Sequence, residues 1–268
     1  MHNHIMIGHQ DLIKDFTTLT KHDGLAHGYL FFGEPKIGKF LFAKNLAYLL
    51  EQGVFEITER PLQDTMIVPA GGGIDLMREA RQFVWQRPNI SPRRVVIVND
   101  ADDLTVEAQN AILKIAEEPP EHALILLIAR NPETILPPLR SRLQKIYFAP
   151  LPSAEMEKTG VSQAIADAAY GRPGRALALS DPSPALTTAR EYAQRFLRSS
   201  GPMRSKLIKE FVDLQKEQPE VLDLFFEEAI AALRKDPVRN AAALRDILHR
   251  LFLIKEYTTN KRLQLEAI

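Results

Sequence analysis

The chain has 268 residues, 45% of them hydrophobic and 25% charged, with 34 lysines and arginines balanced by 34 aspartates and glutamates. The length exceeds an ordinary single domain of about 100–200 residues, and the zero net charge excludes a molecule-wide field that would draw the chain to nucleic acid. The lack of cysteine excludes disulfides, thiolate zinc sites and cysteine nucleophiles. With no apolar run of about 18 residues and no basic, apolar leader in MHNHIMIGHQ, a cytoplasmic protein with no membrane segment is expected.

Leu12, Ile13, Phe16 and Leu19 have helical spacing, which predicts a helix over 9–23. Gly24 and Gly28 bracket a turn, and GYLFFG then reads as a buried strand. GEPKIGK follows, and LFAKNLAYLLEQG is an amphipathic helix closed by Gly53. Residues 54–73 lack a period and end in Gly71-Gly72-Gly73, so they are expected to be irregular. Residues 74–87 read as a helix limited by Pro88, and RRVVIVN (93–99) is the clearest strand. Thr105 caps a helix over 105–117 that Pro119-Pro120 end. ALILLIA (123–129) is a further buried strand and KIYFAPL (145–151) a shorter one.

Continuous apolar strands alternating with helices indicate an α/β fold, with a parallel sheet covered on both faces. This layout fills residues 1–150. From 152 the strand signal stops: 151–183 reads as a small helical unit, SDPSPAL (180–186) as a linker, and 184–268 as helices throughout. Phe211, Leu214, Leu222, Phe225, Phe226 and Ile230 form stripes that belong to a helical core.

A strand, GxxxxGK and a helix together are the context of a phosphate-binding loop, with Gly33, Gly38 and Lys39 in the defining places. Backbone N–H groups curl around phosphate oxygens, the helix start adds its dipole, and the lysine reaches the outer phosphates. The next residue should carry a hydroxyl that ligates Mg²⁺; it is Phe40. The strand RRVVIVND should end in a metal-binding aspartate and a catalytic glutamate; here Asn99 and Asp100 stand there. Two such losses predict a loop that does not support hydrolysis, and they make the acidic run Asp100, Asp102, Asp103 a solvated loop capping the next helix. Arg78, Arg81, Arg87, Arg93 and Arg94 form at most a weak candidate for phosphate contacts, against the plainer reading of a solvated basic face.

HGYLFFGEPKIGK, NAILKIAEEPP (110–120), ILPPLRSR (135–142), GRPGRALAL (171–179) and TTNKRLQLEA (258–267) resemble the AAA+ clamp-loader subunits of bacterial DNA polymerase III. Within that family the degenerate loop is similar to the delta-prime type. The resemblance implies an AAA+ P-loop parallel-sheet domain, a small helical lid and an all-helical collar-like domain. It implies gamma/tau-type and delta-type subunits and the sliding clamp as partners, with primer-template DNA reached indirectly. It also implies that Arg142, in Ser141-Arg142-Leu143 where the family writes Ser-Arg-Cys, acts in trans on a neighbouring subunit's ATP site, with Arg140 the lesser candidate.

Arg175 matches a second sensor arginine, and Arg130 and Asn131 stand at an ambiguous first sensor position. The residues of the degenerate nucleotide site are then Gly33, Gly38, Lys39, Asn99, Asp100 and Arg175. ATP or ADP would be held weakly there, or at an interface with a neighbour. The cysteine-free segment 52–73 replaces the family's zinc module, so no zinc and no other metal is expected. The chain is then expected to lack ATPase activity of its own. Two other readings stay open: an active gamma/tau-type ATPase, and a non-replicative adaptor that uses the fold only to bind protein.

Overall fold

Three apolar runs become the inner strands of a five-stranded parallel sheet. The computed structural model describes residues 6–256 and 261–268, and its chain divides into two compact units, Met1–Leu177 and Ala178–Ile268. In the first, α1 (Gln10–Lys21), β1 (Gly28–Phe32) and α2 (Lys39–Gln52) are followed by β2 (Thr65–Val68), α3 (Ile74–Trp85) and β3 (Arg94–Val98). Then come α4 (Val106–Glu117), β4 (Ala123–Ala129), α5 (Pro137–Arg140) and β5 (Gln144–Tyr147), the short helices α6 (Ser153–Met156) and α7 (Gln163–Ala169), and α8 (Pro173–Ser180), within which the first unit ends.

The strand order is β2-β3-β4-β1-β5. Every pair is parallel, with Gly28 opposite Ile125, Arg94 opposite Ala123, Thr65 opposite Val95 and Tyr29 opposite Gln144. The period of two in a strand sends alternate side chains to opposite faces. Tyr29, Phe31, Val95, Ile97, Leu124 and Leu126 pack with Phe16 of α1 and Phe42 and Leu46 of α2. Leu30, Val96, Val98, Ile125 and Leu127 pack with Met77 and Ala80 of α3 and Ile112 and Ile115 of α4.

The structure corrects three expectations. Residues 54–73 contain β2, an edge strand with only Val68 buried, whose apolar run Met66-Ile67-Val68 is just three residues long. Its approach is held by the Glu51 carboxylate, which accepts from the N–H groups of Gln63 and Asp64 and from the Thr65 hydroxyl. β5 stops at Tyr147 rather than 151, although the Phe148 N–H still donates to the Phe32 carbonyl. The proline and serine of 180–186 mark a helix start more than a linker: Ser183 accepts from the Leu186 N–H at 3.2 Å and Pro184 opens the next helix.

The second unit contains α9 (Pro184–Arg198), α10 (Gly201–Glu217), α11 (Glu220–Leu233), α12 (Ala241–Glu256) and α13 (Lys261–Glu266). Phe211, Leu222, Phe225 and Phe226 are buried in its core, with Leu214 and Ile230 packed against them. Of the TTNKRLQLEA segment, Lys261–Glu266 is α13, while Thr258, Thr259 and Asn260 lie outside the described residues.

Candidate functional site

β1, β3 and β4 all end at the same edge of the sheet, and a parallel α/β sheet holds ligands beyond the carboxyl ends of its strands. The GEPKIGKF loop leaves β1 there. Gly33 and Gly38 have φ of 138° and 108°, values in which a side chain is strained. A Cβ at Gly33 would also stand 2.5 Å from the Phe148 carbonyl oxygen. Gly38 caps α2, and Lys39 is its first residue. The Lys39 ammonium donates to the carbonyls of Gly33 at 2.6 Å and Glu34 at 2.8 Å. An ammonium has three protons, so among the described residues one remains for an anion. Burial pulls the Lys39 pKa down to about 8 against the opposing pull of Asp102 and Asp100. The loop therefore fits a phosphate group.

It does not fit Mg²⁺. Phe40 offers no oxygen; its ring packs on the core below and lies under the Lys44 ammonium at 5.9 Å. The Asn99 amide donates to Asp100 Oδ2 at 2.9 Å. Burial raises the Asp100 pKa, opposed by Arg130 and Lys39 and reinforced by Asp103 and Asp102. A neutral amide beside one partly desolvated carboxyl is a poor donor set for a hard dication that wants several oxygens.

Asp102 departs from the expected solvated cap. Its carboxylate accepts from the N–H groups of Arg130 at 2.6 Å and Asn131 at 3.1 Å and from the Thr134 hydroxyl at 2.8 Å. It thus fixes the loop leaving β4, while Thr105 caps α4 by accepting from the Ala108 N–H. Gln109, buried in α4, extends the connection: its amide donates to the carbonyls of Leu104 and Thr134 and accepts from the Leu136 N–H at 2.7 Å. Neither role was visible in the sequence, beyond the oddity of a glutamine on an apolar helix face.

The start of α8 meets the phosphate loop. The Gly174 N–H donates to the Lys36 carbonyl at 3.0 Å, and Arg172 lies 3.7 Å from the Glu34 carboxylate. Arg175 is buried, with Nε donating to the Ala168 carbonyl at 3.4 Å. The structure thus gathers Gly33, Gly38 and Lys39 with Asn99 and Asp100 at one edge. Within the GRPGR segment, Gly174 and Arg172 reach the loop.

Arg142 stands elsewhere. It lies two residues before β5, at the amino end of that strand, whereas the far end, Tyr147, pairs with Phe32 beside Gly33. Six extended residues from Arg142 to Phe148 span about 20 Å. Independently, Arg142 pairs with Glu117 at 3.0 Å, at the end of α4 remote from Thr105, and twelve helical steps span about 18 Å. Both rulers put Arg142 out of reach of its own phosphate loop. Its guanidinium also donates to the Pro138 carbonyl at 2.7 Å and is 37% exposed. Arg140 is tied locally, to the Pro132 carbonyl at 3.1 Å and the Glu133 carboxylate.

The basic face of Arg78, Arg81, Arg87, Arg93 and Arg94 does not exist as one surface. Arg94 is buried and pairs with the fully buried Asp64 at 2.6 Å. Arg93 pairs with Asp23 at 2.7 Å and donates to the Glu121 carbonyl. Arg78 pairs with Asp75, and Arg81 and Arg87 are exposed.

Residues 8–152 match the family model described as DNA polymerase III, delta subunit. The chain is 32% identical over 168 residues to the DNA polymerase III subunit gamma/tau of Mycobacterium tuberculosis, covering 56% of this chain and 29% of that protein. It is 29% identical over 197 residues to the subunit delta' of Pseudomonas aeruginosa, covering 63% of this chain and 56% of that one. The matches thus span under two thirds of these relatives. In fold it is similar to a DNA polymerase III gamma subunit-related protein of Thermotoga maritima, with a TM-score of 0.54 at 19% identity over 93% of this chain and 95% of the other. The two share a fold; in this chain an all-helical region follows the sheet domain.

Proposed function

This chain belongs to the DNA polymerase III delta-subunit family, and from that premise we propose that it is a delta-prime-like clamp-loader subunit. In this reading it assembles with gamma/tau-type and delta-type subunits in the ATP-driven loading of a sliding clamp onto primed DNA. It hydrolyses no ATP itself and lends Arg142 to the nucleotide site of the subunit beside it. One observation supports the reading: the phosphate loop, with Phe40 and Asn99 at the positions where metal-binding side chains are expected, follows the carboxyl end of β1, while the partly exposed Arg142 precedes the amino end of β5. An arginine supplied in trans stabilises the charge that spreads over a transferring phosphoryl group. ATP or ADP at Gly33–Lys39 would then be a weakly held passenger.

A second reading, an active gamma/tau-type ATPase, is favoured by Lys39 and by the 32% identity to a gamma/tau subunit. Opposing it are Phe40 and Asn99 at the two metal positions. The two part on a simple assay. The purified chain, alone, is given ATP, then mixed with gamma/tau-type and delta-type subunits, and ATPase is followed with primed DNA. The proposal expects no turnover alone, co-elution with the partners, and a faster assembly when the chain is present. Turnover by the isolated chain that disappears in Lys39→Ala would establish the second reading instead.

A further inference from the structure

The carboxylate that holds Arg142 has no evident reason to be where it is for the helix's own sake. Glu117 is the last residue of α4, where the helix macrodipole places partial negative charge and disfavours a second negative group. Lys114 stands in the same last turn, yet the ion pair of Glu117 runs across the fold, to Arg142 at 3.0 Å.

A guanidinium has five N–H donors in a rigid plane. Among the described residues, one NH1 proton goes to the Pro138 carbonyl at 2.7 Å, and the NH2 nitrogen stands 3.0 Å from Glu117 Oε1 as an ion pair. The other N–H groups sit on the same rigid plane, held by that one bond and by the attraction of the Glu117 carboxylate. Both side chains remain partly open to solvent, 37% for Arg142 and 43% for Glu117, so an incoming anion can reach the free donors while the grip persists. A long, flexible arginine without such a grip would lose rotamer freedom at the moment of engagement.

Resting on the reading of Arg142 above, we propose that Glu117 is a positioning residue, which with the Pro138 carbonyl presets the Arg142 guanidinium to meet a phosphate oxygen of the adjacent subunit's nucleotide. Glu117 touches no nucleotide itself; it acts through Arg142. A glutamine carries an oxygen at the same reach, and an alanine carries none.

The test is a double-mutant comparison in the reconstituted assembly of this chain with gamma/tau-type and delta-type subunits. It is read as the single-turnover rate constant and the ATP half-saturation at the site bordering this chain. Misplacing a catalytic group can cost up to about a hundredfold. Glu117→Ala is therefore expected to slow the single turnover roughly ten- to a hundredfold with ATP half-saturation unchanged. Glu117→Gln should restore the rate to within about threefold of the parent. Adding Glu117→Ala to Arg142→Ala should slow the reaction no further, because residues acting as a unit are non-additive.

An unchanged rate in Glu117→Ala, or a loss that adds to that of Arg142→Ala, overturns the inference. Failure of the underlying reading looks different: Arg142→Ala itself then leaves the rate intact. Circular dichroism and co-elution of each variant separate misfolding from misplacement, and a rescue by glutamine is not expected from damage to the helix end.

Discussion

Two arginine–carboxylate pairs at the amino-terminal edge of the same sheet have opposite character. Arg94 and Asp64 are 2.6 Å apart, and Arg142 and Glu117 are 3.0 Å apart. Arg94 donates to the Phe83 and Gln63 carbonyls, the Asp64 carboxylate and the Gln86 side chain, with its plane 4.2 Å over the Phe83 ring. Asp64 also accepts the N–H groups of Asn89, Ile90 and Ser91. Burial pushes the Asp64 pKa up, but those three N–H bonds and Arg94 outweigh it and hold the carboxyl below its usual value. Arg142 makes one hydrogen bond and one ion pair and stays partly open to solvent. Whether an arginine is a structural bolt or an available ligand is therefore read from its unspent donors and exposure, while the length of its ion pair says little.

Breaking the bolt should have the largest effect on stability. Asp64→Ala leaves Arg94 as a buried unpaired charge and strands three N–H groups, which costs about 3–5 kcal/mol. Chemical denaturation should show the transition of the sheet-bearing unit falling by that amount.

Next is the phosphate loop. The Lys39 pKa is about 8 in the fold against 10.5 unfolded. Between those values the unfolded chain binds more protons, so stability rises with pH there, and the cost of the buried charge is fully present below about pH 8. The rise is worth at most about 3 kcal/mol. Lys39→Met should abolish it, as read from denaturation midpoints at pH 7.5 and 10.5.

Thr105→Ala removes the α4 cap and should cost about 1 kcal/mol. Arg142→Ala should be the mildest, under about 1 kcal/mol, as for an exposed ion pair. A loss in Arg142→Ala as large as in Asp64→Ala would erase the contrast between the two pairs.

The sequence revealed the inner strands because β1, β3 and β4 are buried almost throughout, and burial on both faces writes an unbroken apolar run. β2 escaped because its apolar run, Met66-Ile67-Val68, is only three residues long before Pro69 and too short to show a period. The phosphate loop was legible since its function lies in backbone shape, which Gly33 and Gly38 announce. Arg93 and Arg94 were misread because charge in a sequence does not tell its partner: Asp23 is 70 positions from Arg93 and Asp64 30 from Arg94. Asp102, Gln109 and Glu117 escaped for the same reason, each acting on a residue about 25–32 positions away. Resemblance could point to Arg142, but not to what holds it.

The most direct measurement compares two variants in the reconstituted assembly, Arg142→Ala and Lys39→Ala, by single-turnover ATP hydrolysis at the site bordering this chain. A trans arginine is worth about 10³-fold or more in rate. The account predicts a loss of that order in Arg142→Ala and a parental rate in Lys39→Ala. The reverse pattern, with the lysine required and the arginine dispensable, would contradict it.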